Sequence, residues 1–195
     1  MLLSRPEISK GIQHSQMSLN TQDRTLSLLL ADPPQSLVVQ FMSAADKTAA
    51  FTANILHRLD AHNPNPQALV LTHSRELARN ISGIIGGIGQ FIDGLKVTAA
   101  IPGPSSACRS LDGHIIVGTP GIIYDRIRRA ELNPRFVKIL VLDGVDEMLH
   151  LQLGDVCERV KEYPQIYPTP VLFKLTALQT AAEKYPSGSL LRHFP

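Results

Sequence analysis

The chain has 195 residues, of which 44% are hydrophobic and 5% aromatic, and its formal net charge is +2. This length fits one ordinary α/β domain with a sizeable core. The small charge and the absence of Trp argue against a strongly basic nucleic-acid binder and against an aromatic platform for single strands. The sequence has no signal peptide and no apolar run of membrane-spanning length, so we expect no membrane partner.

Short apolar runs alternate with segments of helical period along the chain. Strands are predicted at Ser36–Gln40, Ala68–Thr72, Lys96–Ala100, His114–Val117, Lys138–Asp143 and Val171–Lys174. Helices are predicted at Gln22–Ala31, Lys47–Leu59, Ser74–Phe91, Pro120–Arg129 and Asp155–Tyr163. This alternation is typical of βαβ units and predicts a mostly parallel, twisted sheet with helices on both faces. Because no linker interrupts it, we expect one domain over residues 1–195.

The first candidate site follows the first strand, where Ser43 to Thr48 opens a helix. Lys-Thr at a strand-to-helix turn is how a P-loop brings an ammonium to phosphates and a hydroxyl to magnesium. Such a loop also needs glycines, and Ala44, Ala45 and Asp46 stand at those positions.

The second candidate site is the end of the apolar strand that runs into Asp143 and Asp146. Nucleotide-dependent motors place magnesium-binding and water-activating carboxylates at such a strand end. Gly144 lies between the two aspartates and can neither accept a proton nor orient a water.

A metal site of histidines or cysteines is not expected. The seven histidines form no i, i+4 pair, and the two cysteines, Cys108 and Cys157, have no metal-ligand spacing. We therefore expect two reduced thiols.

Taken together, these segments resemble the first RecA-like domain of DEAD-box RNA helicases, and within that family the branch that acts in mRNA export. The matching segments are Ser43–Phe51 for the phosphate loop, Ala68–Ala78 and Ile115–Gly121 for RNA contacts, Asp143–Asp146 for Asp-Glu-Ala-Asp, and Val171–Thr176 for the coupling motif. The segments Leu28–Pro34 and Leu153–Lys161 indicate the export branch. The resemblance covers nearly the whole chain and implies a RecA-like fold.

The resemblance also implies which residues bind ligands. The degenerate nucleotide site comprises Gln22, Ser43, Lys47, Thr48, Asp143, Asp146 and Thr176, with Gln22 reading adenine. The candidate RNA-binding residues are Arg75, Thr119, Pro120 and Gly121, and the candidate partner-binding residues are Arg159 and Lys161. A purely local interpretation is also open, in which Thr119 caps its helix, Pro120 fills the first helical position and Arg75 pairs with a nearby carboxylate.

The departures from the family pattern lie in the nucleotide site. Gly144 replaces the glutamate that orients and deprotonates water, and losing a general base typically costs about 10²–10⁴-fold in rate. Asp46 replaces a glycine, and two unit charges 4 Å apart repel by roughly 4 kcal/mol at an intermediate dielectric. Lys174 and Leu175 replace the Ser-Ala of the coupling motif. We expect no intact catalytic residue, with ATP and magnesium bound only if the altered site still holds them.

The sequence therefore leaves two functions open, of which the first is preferred. The first is a catalytically degenerate binding or regulatory module of RNA metabolism and mRNA export, with a helicase-associated or nuclear-pore protein as partner and weak RNA binding. It would lie in the cytoplasm or nucleus, including the nuclear envelope. The alternative is an ATP-dependent RNA helicase that needs a second domain or partner chain, because the family's ATP site closes between two domains. We also expect Asp46 or Lys47 to fill the phosphate space, by pairing with each other or with Asp143.

Overall fold

The computed structural model describes residues 5–15, 24–32, 37–41, 43–101, 111–161, 163 and 169–175. Its helices are α1 (Pro6–His14), α2 (Arg24–Leu29), α3 (Ala44–Arg58), α4 (Arg75–Ile88), α5 (Pro120–Arg128), α6 (Val145–His150) and α7 (Gly154–Lys161). Its strands are β1 (Leu37–Phe41), β2 (Ala68–Thr72), β3 (Val97–Ala100), β4 (Ile115–Gly118), β5 (Ile139–Asp143) and β6 (Thr169–Leu175). A short 3-10 helix lies at Pro134–Phe136.

The six strands form one sheet in the order β1-β6-β5-β2-β4-β3. Every neighbouring pair is parallel. Parallel strands need long crossover connections, and helices lie in the connections that follow β1, β2, β4 and β5. The predicted parallel α/β architecture is therefore confirmed, and the carboxyl ends of all six strands lie at one edge of the sheet.

Alternate residues of the central strands supply two separate cores. Val70 and Val141 face one side with Phe51 and Ile85, where α1, α3 and α4 pack. The residues of β2 and β5 that alternate with these valines face the other side of the sheet, where they pack with side chains of α5, α6 and α7. Both faces are covered, which explains why β2 and β5 are continuous apolar runs rather than alternating ones.

The helix boundaries depart from the sequence-based prediction where capping residues act. α3 begins at Ala44 rather than Lys47, because Ser43 takes the N-cap position and its Oγ accepts from the Asp46 amide. α4 begins at Arg75, because Ser74 is likewise the N-cap and accepts from the Leu77 amide. Two helices, α1 and α6, were not predicted at all.

Helix α1 packs on α4 through a close backbone approach at Gly11. A Cβ on this residue would lie 1.7 Å from the carbonyl oxygen of Ile88. Arg5, just before the helix, donates to the carbonyls of Leu56 and Leu59 at 2.9 Å each. These contacts fix the amino-terminal helix against the core side of α3 and α4.

Candidate functional site

Four strand-to-helix turns meet at the carboxyl edge of the sheet. β1 leads into α3, β2 into α4, β4 into α5, and β5 into α6. Because the strands are parallel, each of these helices points its N-terminus, with its free amide groups, toward the same edge. The residues predicted for nucleotide and RNA binding within the described ranges are thereby gathered on one side of the molecule.

The nucleotide side is organised around a buried ion pair. Lys47 Nζ lies 2.6 Å from Oδ1 of Asp143, and the two side chains are only 7% and 2% exposed. The predicted pairing of Lys47 with Asp143 is confirmed. Oδ1 has no hydrogen-bond partner of ordinary geometry, so the contact is one of charge and proximity rather than of a well-directed hydrogen bond.

Burial raises the pKa of Asp143 above its ordinary value. The Lys47 ammonium and the His73 ring act against this shift, whereas the negative charge of Asp146 adds to it. Asp146 lies half-buried in the first turn of α6. The Asp143 carboxylate is thus strongly desolvated, and a cation at its oxygen would favour the ionised form.

The phosphate-loop segment is wound into the first turn of α3. Ala44, Ala45 and Asp46 are helical and exposed, and the Asp46 amide donates to Ser43 Oγ at 3.4 Å. Thr48 Oγ1 donates to the Ala44 carbonyl at 3.0 Å. This bond leaves the lone pairs of the hydroxyl free for a metal, since a hydroxyl coordinates through its oxygen.

Gly144 has φ +76° and ψ 51°, in the left-handed region that favours glycine. A Cβ on Gly144 would lie 3.4 Å from His73 Nδ1 and 4.0 Å from its Cε1. Beyond the chain neighbours, no other atom of the described residues comes within 4 Å of that position. The space where the family's glutamate side chain would begin is therefore faced by one imidazole ring.

His73 is a residue that the sequence analysis did not single out. Its Nδ1 is buried and has no hydrogen-bond partner among the residues that the structure describes. The available signal was its place directly after β2, at the edge where parallel sheets bind ligands.

The candidate RNA-binding residues, called the RNA side below, lie on an open part of the edge. Arg75 is exposed in the first turn of α4 and forms no ion pair with any described residue. Thr119 makes no side-chain capping bond, while Pro120 occupies the start of α5. Gly121 is exposed, and outside its own helix backbone and chain neighbours no described residue comes within 4 Å of a Cβ placed on it. The local interpretation thus holds for Pro120, holds for Thr119 in its N-cap position but without a side-chain capping bond, and does not hold for Arg75.

Other predicted site residues fall elsewhere. Gln22 and Thr176 lie outside the described residues, as does Cys108. Arg159 is exposed in the last turn of α7, and Lys161 is half-buried and engaged in an interaction.

Cys157 is buried, and burial raises the pKa of its thiol to about 12. Its low thiolate content makes it a packing residue rather than a nucleophile.

Two negative findings apply to the part of the chain that the structure describes. No group of three or more His, Cys, Asp or Glu side chains is arranged to hold a metal ion. None of the described helices is both long and apolar enough to cross a bilayer.

The model of the DEAD/DEAH box helicase family matches residues 20–182. The chain belongs to this family. Two relatives show how closely this DEAD-box chain follows the export branch. It is 43% identical over 173 residues to the ATP-dependent RNA helicase DBP5 of Phaeosphaeria nodorum, covering 87% of this chain and 37% of that protein. It is 50% identical over 142 residues to the dbp5 helicase of Botryotinia fuckeliana, covering 72% of this chain and 30% of that protein.

The fold of this DEAD-box chain is also similar to that of a solved Dbp5. The S. cerevisiae Dbp5 bound to RNA and ADP BeF3 superposes with a TM-score of 0.85 at 33% identity, over 100% of this chain and 49% of that one. The chain therefore spans about a third of the length of these curated relatives and about half of the solved structure.

Proposed function

We propose that this chain supplies the first RecA-like domain of an ATP-dependent RNA helicase of the mRNA-export branch, binding nucleotide at α3 and RNA at α4 and α5. The observation that carries the proposal is the buried Lys47–Asp143 pair at the carboxyl edge of a parallel sheet. A charged pair this deeply buried seldom stabilises a fold more than apolar side chains of the same size would. Its presence at a ligand-binding edge is better explained by a ligand.

The side chains at this site fit magnesium and a nucleoside triphosphate. Asp143 offers a buried carboxylate, which is the kind of ligand that magnesium prefers, and its Oδ1 faces the Lys47 ammonium. Lys47 offers an ammonium, and the Thr48 hydroxyl keeps its lone pairs. When bound, magnesium would neutralise charge on the phosphates. Lys47 would then turn from Asp143 toward a phosphate, while Thr48 and Asp143 would hold the metal.

RNA would bind on the open side of the edge. Arg75 presents a guanidinium beside the N-terminus of α4, where free amides and the helix dipole favour a phosphate. Thr119 and Gly121 give the start of α5 a free hydroxyl and an unobstructed backbone. Both helices begin at the same sheet edge, so one RNA backbone can reach both.

Protein partners are proposed from the same family relationship. The S. cerevisiae Dbp5 L327V was solved bound to nup159, gle1, ip6 and ADP, and it covers 97% of this chain at a TM-score of 0.81. We propose that Arg159, exposed on α7, contributes to docking an acidic nuclear-pore protein, with Lys161 beside it. On this proposal the protein would act at the nuclear envelope during export.

A second candidate is a regulatory module of the same family that does not hydrolyse ATP. Gly144 favours it, because a glycine in the left-handed region supplies no carboxylate for water. Asp46 also favours it, since its charge already compensates the N-terminal dipole of α3 where a phosphate would lie. Such a module would bind RNA and a partner protein without turnover.

RNA-stimulated phosphate release by this chain, with and without a second RecA-like domain, separates the two candidates. The helicase proposal expects turnover that Lys47→Ala abolishes and Arg75→Ala weakens through RNA affinity. The module proposal expects no turnover in any mixture, with RNA binding that Arg75→Ala weakens and Lys47→Ala leaves unchanged. Turnover that persists in Lys47→Ala would come from a contaminant and would support neither.

A further inference from the structure

The inference concerns His73 and rests on the proposed nucleotide binding. At position 144 the chain has no side chain, and among the described residues outside its chain neighbours only the His73 ring comes within 4 Å of the place of a Cβ. The ring nitrogen Nδ1 lies 3.4 Å from the place of the missing Cβ. By ordinary bond lengths, a glutamate's carboxylate oxygens lie roughly 3–4 Å from its own Cβ. The imidazole nitrogen therefore lies at a distance similar to that of the absent carboxylate oxygens.

Two buried polar groups lie beside Gly144. Among the described residues, Nδ1 of His73 has no hydrogen-bond partner, whereas Oδ1 of Asp143, whose pKa the His73 ring influences, faces the Lys47 ammonium at 2.6 Å. Most buried polar atoms in folded proteins have a partner, and an ordered water often supplies it. Nδ1 of His57 is likewise buried without a partner among the described residues, so what distinguishes His73 is its position beside Gly144. An unsatisfied nitrogen at this position indicates a small polar ligand beside Gly144.

We propose that the His73 imidazole holds the attacking water of nucleotide hydrolysis, in place of the missing carboxylate at position 144. A neutral side chain is sufficient for this task, since glutamine orients the attacking water in some nucleotide hydrolases. The water oxygen bonds to the γ-phosphorus while the bond to the β–γ bridging oxygen breaks. ADP leaves with the electron pair, and the water's second proton ends on the released inorganic phosphate. His73 accepts a hydrogen bond and is unchanged at the end.

The test compares His73→Ala with a matched control, His57→Ala. His57 also has a buried Nδ1 without a partner, but it lies in the last turn of α3, roughly 15 Å along the helix from Lys47. Single-turnover hydrolysis of ATP with magnesium and RNA is measured for both. We expect His73→Ala to lower the rate at least about tenfold. We expect His57→Ala to leave it unchanged, and His73→Gln to retain more activity than His73→Ala because its amide can still orient water.

A second readout does not depend on turnover. The histidine ring nitrogens are followed by ¹⁵N NMR while ADP, beryllium fluoride and magnesium are added. We expect the His73 nitrogens to shift and the His57 nitrogens to stay in place. Nucleotide affinity, measured by calorimetry, should be the same in the wild type and His73→Ala, because a water-holding residue acts on the reaction rather than on binding.

The outcomes separate this inference from the proposed function. Bound nucleotide with an unchanged rate in His73→Ala, or with no measurable turnover in the wild type, overturns the role of His73 while leaving nucleotide binding in place. A wild-type chain that binds no nucleotide overturns the proposed nucleotide site and the inference together. A rate loss shared equally by the two alanine variants would mark a general loss of structure and would also overturn the inference.

Discussion

The two halves of the carboxyl edge are built on the same plan but differ in what their side chains already do. On the nucleotide side, Lys47 and Asp143 are buried and paired, and the segment before them is capped and helical. On the RNA side, Arg75 and Gly121 are exposed, and the Thr119 hydroxyl makes no capping bond. At the proposed sites, a nucleotide would therefore have to displace internal contacts, whereas RNA would have to displace only solvent.

Because of this difference, substitutions on the two sides should affect stability and ligand binding differently. Substitutions on the nucleotide side should change the free energy of unfolding as well as ligand affinity, because the groups are buried. Truncations of exposed side chains on the RNA side should change affinity alone, because surface changes away from special features usually stay within about 0.5 kcal/mol.

The largest expected effect comes from breaking the buried pair. Lys47→Met leaves the Asp143 carboxylate buried without its cation, so we expect a loss of about 3–5 kcal/mol in the free energy of unfolding. Denaturant unfolding at neutral pH measures this loss.

The matched control replaces both members of the pair. Lys47→Met with Asp143→Leu removes both charges, and we expect it to recover most of the stability, because apolar pairs of similar volume often replace buried ion pairs without cost. A double variant as unstable as Lys47→Met would show that the ion pair itself, rather than an orphaned charge, holds this edge together.

A smaller effect on the free energy of unfolding is expected when Gly144 and Gly121 are each replaced by alanine. Gly144→Ala forces a Cβ into the left-handed region, at a cost of about 1–2 kcal/mol. Gly121→Ala lies in the first turn of α5 with open space around it, and we expect it to be neutral or to stabilise by up to about 1 kcal/mol. Thermal unfolding of the two variants should shift in opposite directions or differ clearly in size. Equal shifts of the unfolding temperature in the two variants would contradict the expectation that only Gly144 needs the left-handed backbone conformation.

The smallest effect on stability, but a specific one on binding, is expected for Arg75→Ala. We expect stability to be unchanged and the slope of log affinity against log salt for single-stranded RNA to fall by about one. Arg79→Ala is the control, since Arg79 is exposed on the same helix one turn further from its N-terminus. An equal change of slope in both variants would indicate a diffuse basic surface instead of a site at the helix N-terminus.

Much of the fold could be predicted from local patterns. β2 was predicted with its observed ends, because a short apolar run between loop residues has few other interpretations. The parallel sheet followed from the alternation of strands and helices. The start of α3 was wrong by one turn, because the capping role of Ser43 competed with the boundary suggested by Lys47.

The features that could not be predicted from the sequence depend on contacts between residues that are distant along the chain. Helix α1 is held by Gly11 against Ile88, a contact that no local pattern specifies. The pairing of Lys47 with Asp143 could be expected because both residues follow strands of one parallel sheet. The position of His73 beside Gly144 could not, because it requires knowing that β2 and β5 are neighbours and that Gly144 is left-handed.

Calorimetric titration of the chain with ATP and magnesium tests the central claim most directly. The account predicts saturable binding in the wild type, its loss in Lys47→Ala, and the same affinity in Arg75→Ala as in the wild type. Absence of binding by a folded wild-type chain, or affinity unaffected by Lys47→Ala, would contradict a nucleotide site at the Lys47–Asp143 pair.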